Sequence, residues 1–387
     1  MAKKTNFNTN DYEYYRVNAV IGRNPDGTYI RKQFYGLSKK EAEAKKKEFL
    51  DNINNGLNVD YREMTIEKFM KLWLFNVVRV DKSFSTFDRY ESVYRNYIVG
   101  SQLACLKVYE VKPLFLKGYY NAMAENGYSS SKIYNLNKLL KIFFNYAITE
   151  GYLLKNPCFG ISIPKDVKAD GEDAARIEPF SDDEIKAITE TAKGSMKTIF
   201  QFGLATGLRR GELLGLQVKN VNFETMTVDI CQALKDVKKF SNDNEYEYLT
   251  ILEKPKTPGS IRSVPLPTSL KAILKQHLVQ EKEKHLMLGI RHTQDSLFFT
   301  SEACSPYNGR NIGTAFKRLL KRAGVRYRCF HNVRHTYATK LFEARVPLLT
   351  ISKLLGHSNI NITANTYVSI MPKEKSAAAE ELNYLFA

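Results

Sequence analysis

Residues 330–368 read FHNVRHTYATKLFEARVPLLTISKLLGHSNINITANTYV. His331 and Arg334 lie three apart and would share one face of a helix. The run from Pro347 through Leu355 has an amphipathic helical pattern. Proline suits its first turn, and Gly356 suits the left-handed position just past its end. His357 follows that glycine, so the helix stop sets where its ring points. Ten residues later stands Tyr367, with Asn361, Thr363, Asn365 and Thr366 making the interval polar. Two histidines, an arginine and a tyrosine in this order are residue types suited to attack on a phosphodiester.

Working outward, 387 residues exceed one typical core and predict two or three domains. A hydrophobic fraction of 43% with 26% charged residues describes a soluble globular protein. The net charge of +17 points to a polyanionic partner. Between Glu302 and Arg345 ten Lys/Arg face two Glu, a local excess of +8 around the opening stretch. A solvated basic surface is the alternative reading; the concentration near the candidate chemistry favours nucleic acid. The five cysteines are scattered without a CxxC pair, as expected of reduced thiols in a cytosol. The first residues, MAKKTNFNTN, lack an apolar signal core, and no run approaches a membrane span. The expectation is a cytoplasmic protein with no membrane partner.

The fold class predicted is multidomain and mainly α with small β-sheets. Residues 1–62 form a β-hairpin or three-stranded sheet plus one helix. YEYYRVNAVIG and TYIRKQFYG alternate like strands about Asn24-Pro-Asp-Gly27, and Ser38-Lys-Lys-Glu41 opens a lysine-rich helix. The second strand could present Tyr29, Arg31, Lys32 and Tyr35 to a major groove, or be an ordinary structural hairpin. Residues 63–160 read as a helical bundle with helices near 65–77, 84–98, 110–126 and 130–150. Its polar faces carry Arg89, Tyr94, Arg95, Lys132, Lys138 and Lys141, which suit a grip on a DNA backbone. Residues 161–177 are a linker rich in charge and turn formers. Residues 178–387 form a mixed α+β domain opened by the capping box Ser181-Asp-Asp-Glu184.

Within that last domain an apolar helix stops at Thr206-Gly207, and LRRGELLGL follows as a second helix with Arg209 and Glu212 at i, i+3. A surface ion pair is the simpler reading of those two. Residues 226–266 read as three strands, MTVDICQALK, EYLTILEKP and SIRSVPLP. Lys256 would then sit at the hairpin tip between the last two. His331 and His335 have the i, i+4 spacing of a zinc pair, but Asn332 stands where a metalloprotease has glutamate, so no metal is expected.

The blocks ATGLRRGELLGL, KPKTPGSIRSVPLP, HNVRHTYATKL and LGHSNINITANTY resemble, in order and spacing, those of the tyrosine recombinases. Among these the chain is most similar to integrases of phages and integrative conjugative elements. The resemblance covers Phe180 to Val368. The bundle ending in GYLLKNP is similar to the family's core-binding domain, and residues 1–62 to the arm-binding domains of longer members. Carried over residue by residue, it implies Tyr367 as nucleophile and Arg209 and Arg334 on the scissile phosphate. His331 and His357 would be the supporting histidines, Lys256 the lysine of the mobile hairpin, and Glu212 the brace of the first arginine. Two departures stand out. Tyr367 lies ten residues beyond His357, where many relatives have nine, and no histidine closely follows it.

The implied chemistry needs no cofactor and no ATP, since a 3′-phosphotyrosyl bond keeps the energy of the phosphodiester. Implied partners are double-stranded DNA attachment sites and three further copies of the chain, a homotetramer on DNA. The tail helix at Ala377 to Phe386 would exchange between copies. A second DNA site on residues 1–62 would call for an excisionase, with a DNA-bending host protein as the other accessory. Two further readings share the residues. One is a type IB topoisomerase, which an added N-terminal DNA-binding domain disfavours. The other is a catalytically silent DNA-binding regulator, disfavoured because each catalytic position is filled.

Overall fold

The computed structural model describes residues 15–23, 29–54, 64–166, 178–242, 245–255, 261–357 and 359–367. The chain falls into two compact units, residues 1–167 and 168–387.

In the first unit β1 (Tyr15–Arg23) pairs antiparallel with β2 (Tyr29–Gly36), a two-stranded sheet among the described residues. The register runs from Tyr15 opposite Gly36 to Arg23 opposite Tyr29, with an irregularity between Val20 and Gly22. Helix α1 (Lys39–Asn54) begins where the Ser38 hydroxyl accepts from the Glu41 N–H at 3.2 Å. Glu41 reaches back one residue further than expected, accepting from the Leu37 N–H at 2.8 Å. Side chains alternate across a strand, so Phe34 faces α1 and meets Phe49 at 5.1 Å between ring centroids. Ala19, Phe34 and Phe49 form this small core.

The helical part runs α2 (Ile66–Trp73), a π-helical turn (Leu74–Val78), α3 (Arg79–Asp81), α4 (Phe84–Tyr97), α5 (Gln102–Cys105), α6 (Pro113–Glu125) and α7 (Ser130–Thr149). The periodicity foresaw four of these. The short α3 and α5 carry no stripe of their own and fall outside the four expected ranges, while the π turn continues the helix expected near 65–77. Ile133, Leu136, Leu140, Phe143 and Ala147 are buried, as a helical stripe requires. Phe69 and Trp73 pack edge-on against Phe143 at 5.1 and 5.5 Å. Tyr94, expected on a polar face, is buried, and its hydroxyl donates to the Glu67 carbonyl. Its ring belongs to the stripe of Phe87 and Val93 that closes the bundle.

In the second unit the box at α8 (Asp182–Thr191) is reciprocal. The Ser181 N–H donates to Glu184 Oε2 at 2.9 Å, and the Glu184 N–H to Ser181 Oγ at 3.2 Å. Next come α9 (Gly194–Thr206) and α10 (Arg210–Leu214), shorter than LRRGELLGL promised and with Arg209 at its N-cap. Strands β3 (Val221–Asn222), β4 (Thr227–Ile230), β5 (Ala233–Phe240), β6 (Tyr246–Glu253) and β7 (Arg262–Pro265) form two sheets, β3-β4-β7 and β5-β6.

This corrects the expected three-strand arrangement. The run 226–235 is two strands, and β6 pairs with β5, from Ala233 opposite Glu253 to Phe240 opposite Tyr246. Between these two strands Asn242 Oδ1 accepts from the Glu245 N–H at 2.9 Å. β7 pairs instead with β4, because Val264 and Val228 must both enter the core. The strands flanking Lys256 therefore belong to different sheets, and Lys256 itself lies outside the described residues.

Helices α11 (Leu270–Met287), α12 (Gly309–Arg322), α13 (His331–Glu343), α14 (Leu348–Leu355) and α15 (Ile360–Tyr367) complete the unit. Its core is aromatic, with Phe180, Phe200, Phe202, Phe298, Phe299, Phe316 and Phe330 buried together. The Phe180 N–H donates to the buried Thr336 hydroxyl at 2.9 Å, pinning the start of the unit to α13.

Candidate active site

The C-terminal end of α14 is where the candidate residues meet. Any helix leaves its last carbonyls without internal partners and carries partial negative charge there. Here guanidinium groups supply the missing donors. Arg334 reaches from the first turn of α13 and donates through Nη2 to the Leu355 carbonyl at 2.7 Å and through Nη1 to the Gly207 carbonyl at 2.9 Å. Arg209, at the N-cap of α10, donates through Nη2 to the Gly356 carbonyl at 3.4 Å. Arg262, the first residue of β7, donates through Nε to the Leu354 carbonyl at 2.7 Å. Three consecutive carbonyls thus collect three arginines that are far apart in sequence.

One carboxylate serves two of them. Glu212 accepts from Arg209 Nη1 and from the Arg209 N–H, both at 2.9 Å. It also takes the fork of Arg262 at 2.9 and 3.3 Å. Burial pushes the Glu212 carboxyl up, but Arg262 and then Arg209 outweigh it and hold the group below the ordinary carboxylate range. The side chains of Arg262 and Glu212 are only 7% and 9% exposed. With one carboxylate shared by two of the three guanidiniums, the cluster keeps an excess of positive charge, and an entering anion is the natural complement.

Two glycines make the close approach feasible. Gly207 ends α9 at φ 60, and a Cβ there would lie 2.2 Å from Tyr337 Cδ1. Gly356 ends α14 at φ 65, and a Cβ there would lie 2.8 Å from Arg262 Nη1. Both positions need the left-handed region and the missing side chain together.

His357 follows immediately. Its Nε2 lies 2.9 Å from Arg334 Nη2 and its Nδ1 2.7 Å from the Thr363 hydroxyl. Burial, then Arg334, Arg209 and Arg262, push its pKa down to about 4. His331 opens α13 on its solvent side, with its ring 4.8 Å from that of His335. Surrounding protein mass, then Arg334, Arg209 and Arg210, hold its pKa below the ordinary histidine range. His335 is lowered further, to about 4, by burial and then by His331 and Arg334.

Tyr367 is the last residue of α15, four positions after Thr363 and so on the same stripe of that helix. Its side chain lies outside the described residues, as do Lys256 and the tail 377–387. The structure thus brings together Arg209, Glu212, Arg334 and His357, with His331 at their edge. Sequence reasoning missed Arg262 and Thr363 as parts of the site, while Tyr337, expected to be a packing or supporting residue, lies against Gly207. Arg262 stands only as the arginine of the block KPKTPGSIRSVPLP, and Thr363 as one polar residue among four.

The residues proposed to touch DNA from the first unit differ in their surroundings. Arg31 is exposed on the β2 face opposite α1, while Lys32 turns toward α1 and lies 4.5 Å over the Phe49 ring. The Tyr29 side chain lies outside the described residues. Arg89 is exposed beside Tyr90, Arg95 pairs with the buried Glu91 at 3.0 Å, and Lys132 is exposed over the Tyr128 ring. In the second unit part of the local basic excess is already neutralised. Arg326 and Arg328 pair with Glu178, Arg328 also with Glu184, and Lys340 with Asp182 and Glu343.

Among the described residues no helix is long and apolar enough to cross a membrane, and no group of three or more His, Cys, Asp or Glu could hold a metal ion.

Proteins similar to this chain are known from both sequence and fold. The family model described as the phage integrase family matches residues 178–374. A XerC-like tyrosine recombinase of Caldanaerobacter subterraneus subsp. tengcongensis is 47% identical over 390 residues, covering 100% of both chains. The ICEBs1 integrase of Bacillus subtilis is 23% identical over 385 residues, 96% of this chain and 97% of its own. Among solved structures, the Tn1549 transposon integrase in complex with transposon right-end DNA superposes with a TM-score of 0.65 at 22% identity, over 84% of this chain and 100% of that one. A lambda integrase tetramer bound to a Holliday junction gives 0.53 at 16% identity, over 92% of each chain. The chain belongs to the phage integrase family of tyrosine recombinases, enzymes that break and rejoin DNA by transesterification.

Proposed function

We propose that this chain integrates and excises a mobile element, with Tyr367 as its nucleophile. The observation that carries this reading is the convergence of Arg209 and Arg334 on the adjacent Gly356 and Leu355 carbonyls, beside His357. Attack on phosphorus builds negative charge on the nonbridging oxygens, and two guanidinium forks aimed at one point can bind it. The Tyr367 phenol must lose its proton; His331, held neutral by its surroundings, takes it. The phenolate oxygen bonds to phosphorus, the P–O5′ bond breaks, and the leaving 5′-oxygen receives a proton from Lys256. A 5′-hydroxyl from a second duplex reverses these steps and reseals the strand, so no high-energy cofactor enters.

The division of labour follows the same reading. Residues 1–62 would bind arm-type DNA, 63–160 the core site through Arg89, Arg95 and Lys132, with 161–177 as linker and 178–387 as catalytic domain. The two solved relatives were captured on transposon-end DNA and, as a tetramer, on a Holliday junction. By analogy this chain acts in the cytoplasm on double-stranded attachment sites as a tetramer, with the tail 377–387 linking copies and an excisionase and a DNA-bending host protein setting direction.

The test uses a nicked duplex carrying the end of the element that encodes the chain. The full-length protein should form a phenol-resistant protein–DNA adduct, and Tyr367→Phe should not. An adduct that survives in Tyr367→Phe would overturn the assignment.

A further inference from the structure

The Thr363 hydroxyl is 0% exposed and lies in α15, yet its 2.7 Å contact is with His357, outside that helix. The protons in this contact can be assigned by counting donors. A guanidinium only donates, so His357 Nε2, 2.9 Å from Arg334 Nη2, must be the nitrogen with the lone pair. In a neutral imidazole the proton then sits on Nδ1 and is donated to the Thr363 oxygen. Burial beside three guanidiniums keeps the ring neutral at physiological pH. Arg334 also donates to the Leu355 carbonyl through the same Nη2 and to the Gly207 carbonyl through Nη1.

We infer that Thr363 is a positioning residue that acts through His357 on Arg334 and, by the same bond, sets the depth of the nucleophile helix against the arginine cluster. This rests on the reading of Tyr367 as nucleophile. Two consequences follow from one hydrogen bond. The accepting oxygen selects the tautomer whose lone pair orients Arg334, so His357 supports that arginine. It also ties α15 to the end of α14 one helical turn before position 367, so the phenol-bearing turn cannot shift without breaking a buried bond. A threonine with only a packing role would give neither effect, because a methyl group of equal size would serve.

The experiment compares Thr363→Val and Thr363→Ser in the full chain on the nicked duplex. Thr363→Val keeps the volume and removes the acceptor. The rate of adduct formation at saturating DNA should fall by about 10- to 100-fold, the loss seen when the partner that orients a metal-bound histidine through its other ring nitrogen is removed. Affinity for the duplex should stay within about twofold, since the contact faces inward, and Thr363→Ser should restore most of the rate. Nitrogen-15 NMR of histidine-labelled protein, with the signal assigned through His357→Gln, should show the Nδ1–H form in the wild type. It should show the Nε2–H form or a mixture in Thr363→Val. Equal losses in the Val and Ser variants, a wild-type rate in Thr363→Val, or an Nε2–H tautomer in the wild type would each overturn the inference. The last measurement is read in the wild type and needs no Thr363 variant to fold. It also stands apart from Tyr367→Phe, whose retained adduct would instead overturn the nucleophile assignment.

Discussion

Replacing Glu212 by glutamine keeps the shape of the side chain and removes the one negative charge shared by Arg209 and Arg262. The two arginines feel this unequally. Arg209 is 41% exposed, so water and salt screen its pair and the loss there is at most about 1 kcal/mol. Arg262 is 7% exposed and would be left as a buried cation facing an amide, a situation that costs about 3–5 kcal/mol. The second unit should therefore be destabilised by roughly that amount, nearly all of it through Arg262. The single tryptophan, Trp73, lies in the first unit, so its fluorescence is blind to this change. Hydrogen exchange followed by mass spectrometry in peptides from α10 and α14 reads it directly, and exchange should accelerate by roughly two to four orders of magnitude. The pH dependence supplies a second check. The folded Glu212 carboxyl lies below its unfolded value, so its contribution is complete above that value, about 4.3, and is lost as pH falls through the folded one. The gap between wild type and Glu212→Gln should stay level near neutrality and close in acid. Protection unchanged within about threefold, or a gap that persists into acid, would refute the reasoning.

Gly207→Ala places a side chain in the left-handed region, at about 1–2 kcal/mol, and drives a methyl into the Tyr337 ring, at about 1–3 kcal/mol more. Calorimetry of the full chain should show the second unit melting earlier, and a Tyr337→Leu background should recover part of the loss; an unaltered melt would contradict the packing account. His331, with its pKa below the ordinary histidine range, stays unprotonated and able to accept a proton through neutral pH. Adduct formation should therefore hold level through neutrality and decline only in acid, and His331→Asn should remove that acid limb. A decline centred at or above the ordinary histidine value would count against the assignment.

Most of the second unit's helical frame was legible because its signals are local. The Ser181 box, Gly207 and Gly356 mark ends by rules that involve only neighbours in sequence, and α13 and α14 declare themselves by periodicity. Pairing of strands was not legible. A polar turn at Ser241 competed with the stronger Pro-Gly signal at 258–259, and only the shared burial of Val228 and Val264 decides which edge β7 joins. Arg262 was hidden for a related reason, since a charged residue opening a strand reads as surface until Glu212 and Leu354 arrive from distant segments. Tyr94 and Lys32 show the converse, for an amphipathic side chain can lay its apolar body on a core while its polar tip remains served. The π turn after Trp73 has no signature in residue order.

Arg334 and Arg209 end on neighbouring carbonyls but differ in compliance. The first is 3% exposed and locked by short bonds; the second is 41% exposed and reaches its carbonyl at 3.4 Å. An arriving phosphate would find one immovable reference point and one limb that is tied at Glu212 but open to solvent. Ordering that limb costs up to about 2 kcal/mol of rotamer entropy, while Arg334 has already surrendered its freedom during folding. Duplexes whose backbones differ by fractions of an ångström could thus be accommodated mainly by a single side chain, with Arg334 left in place.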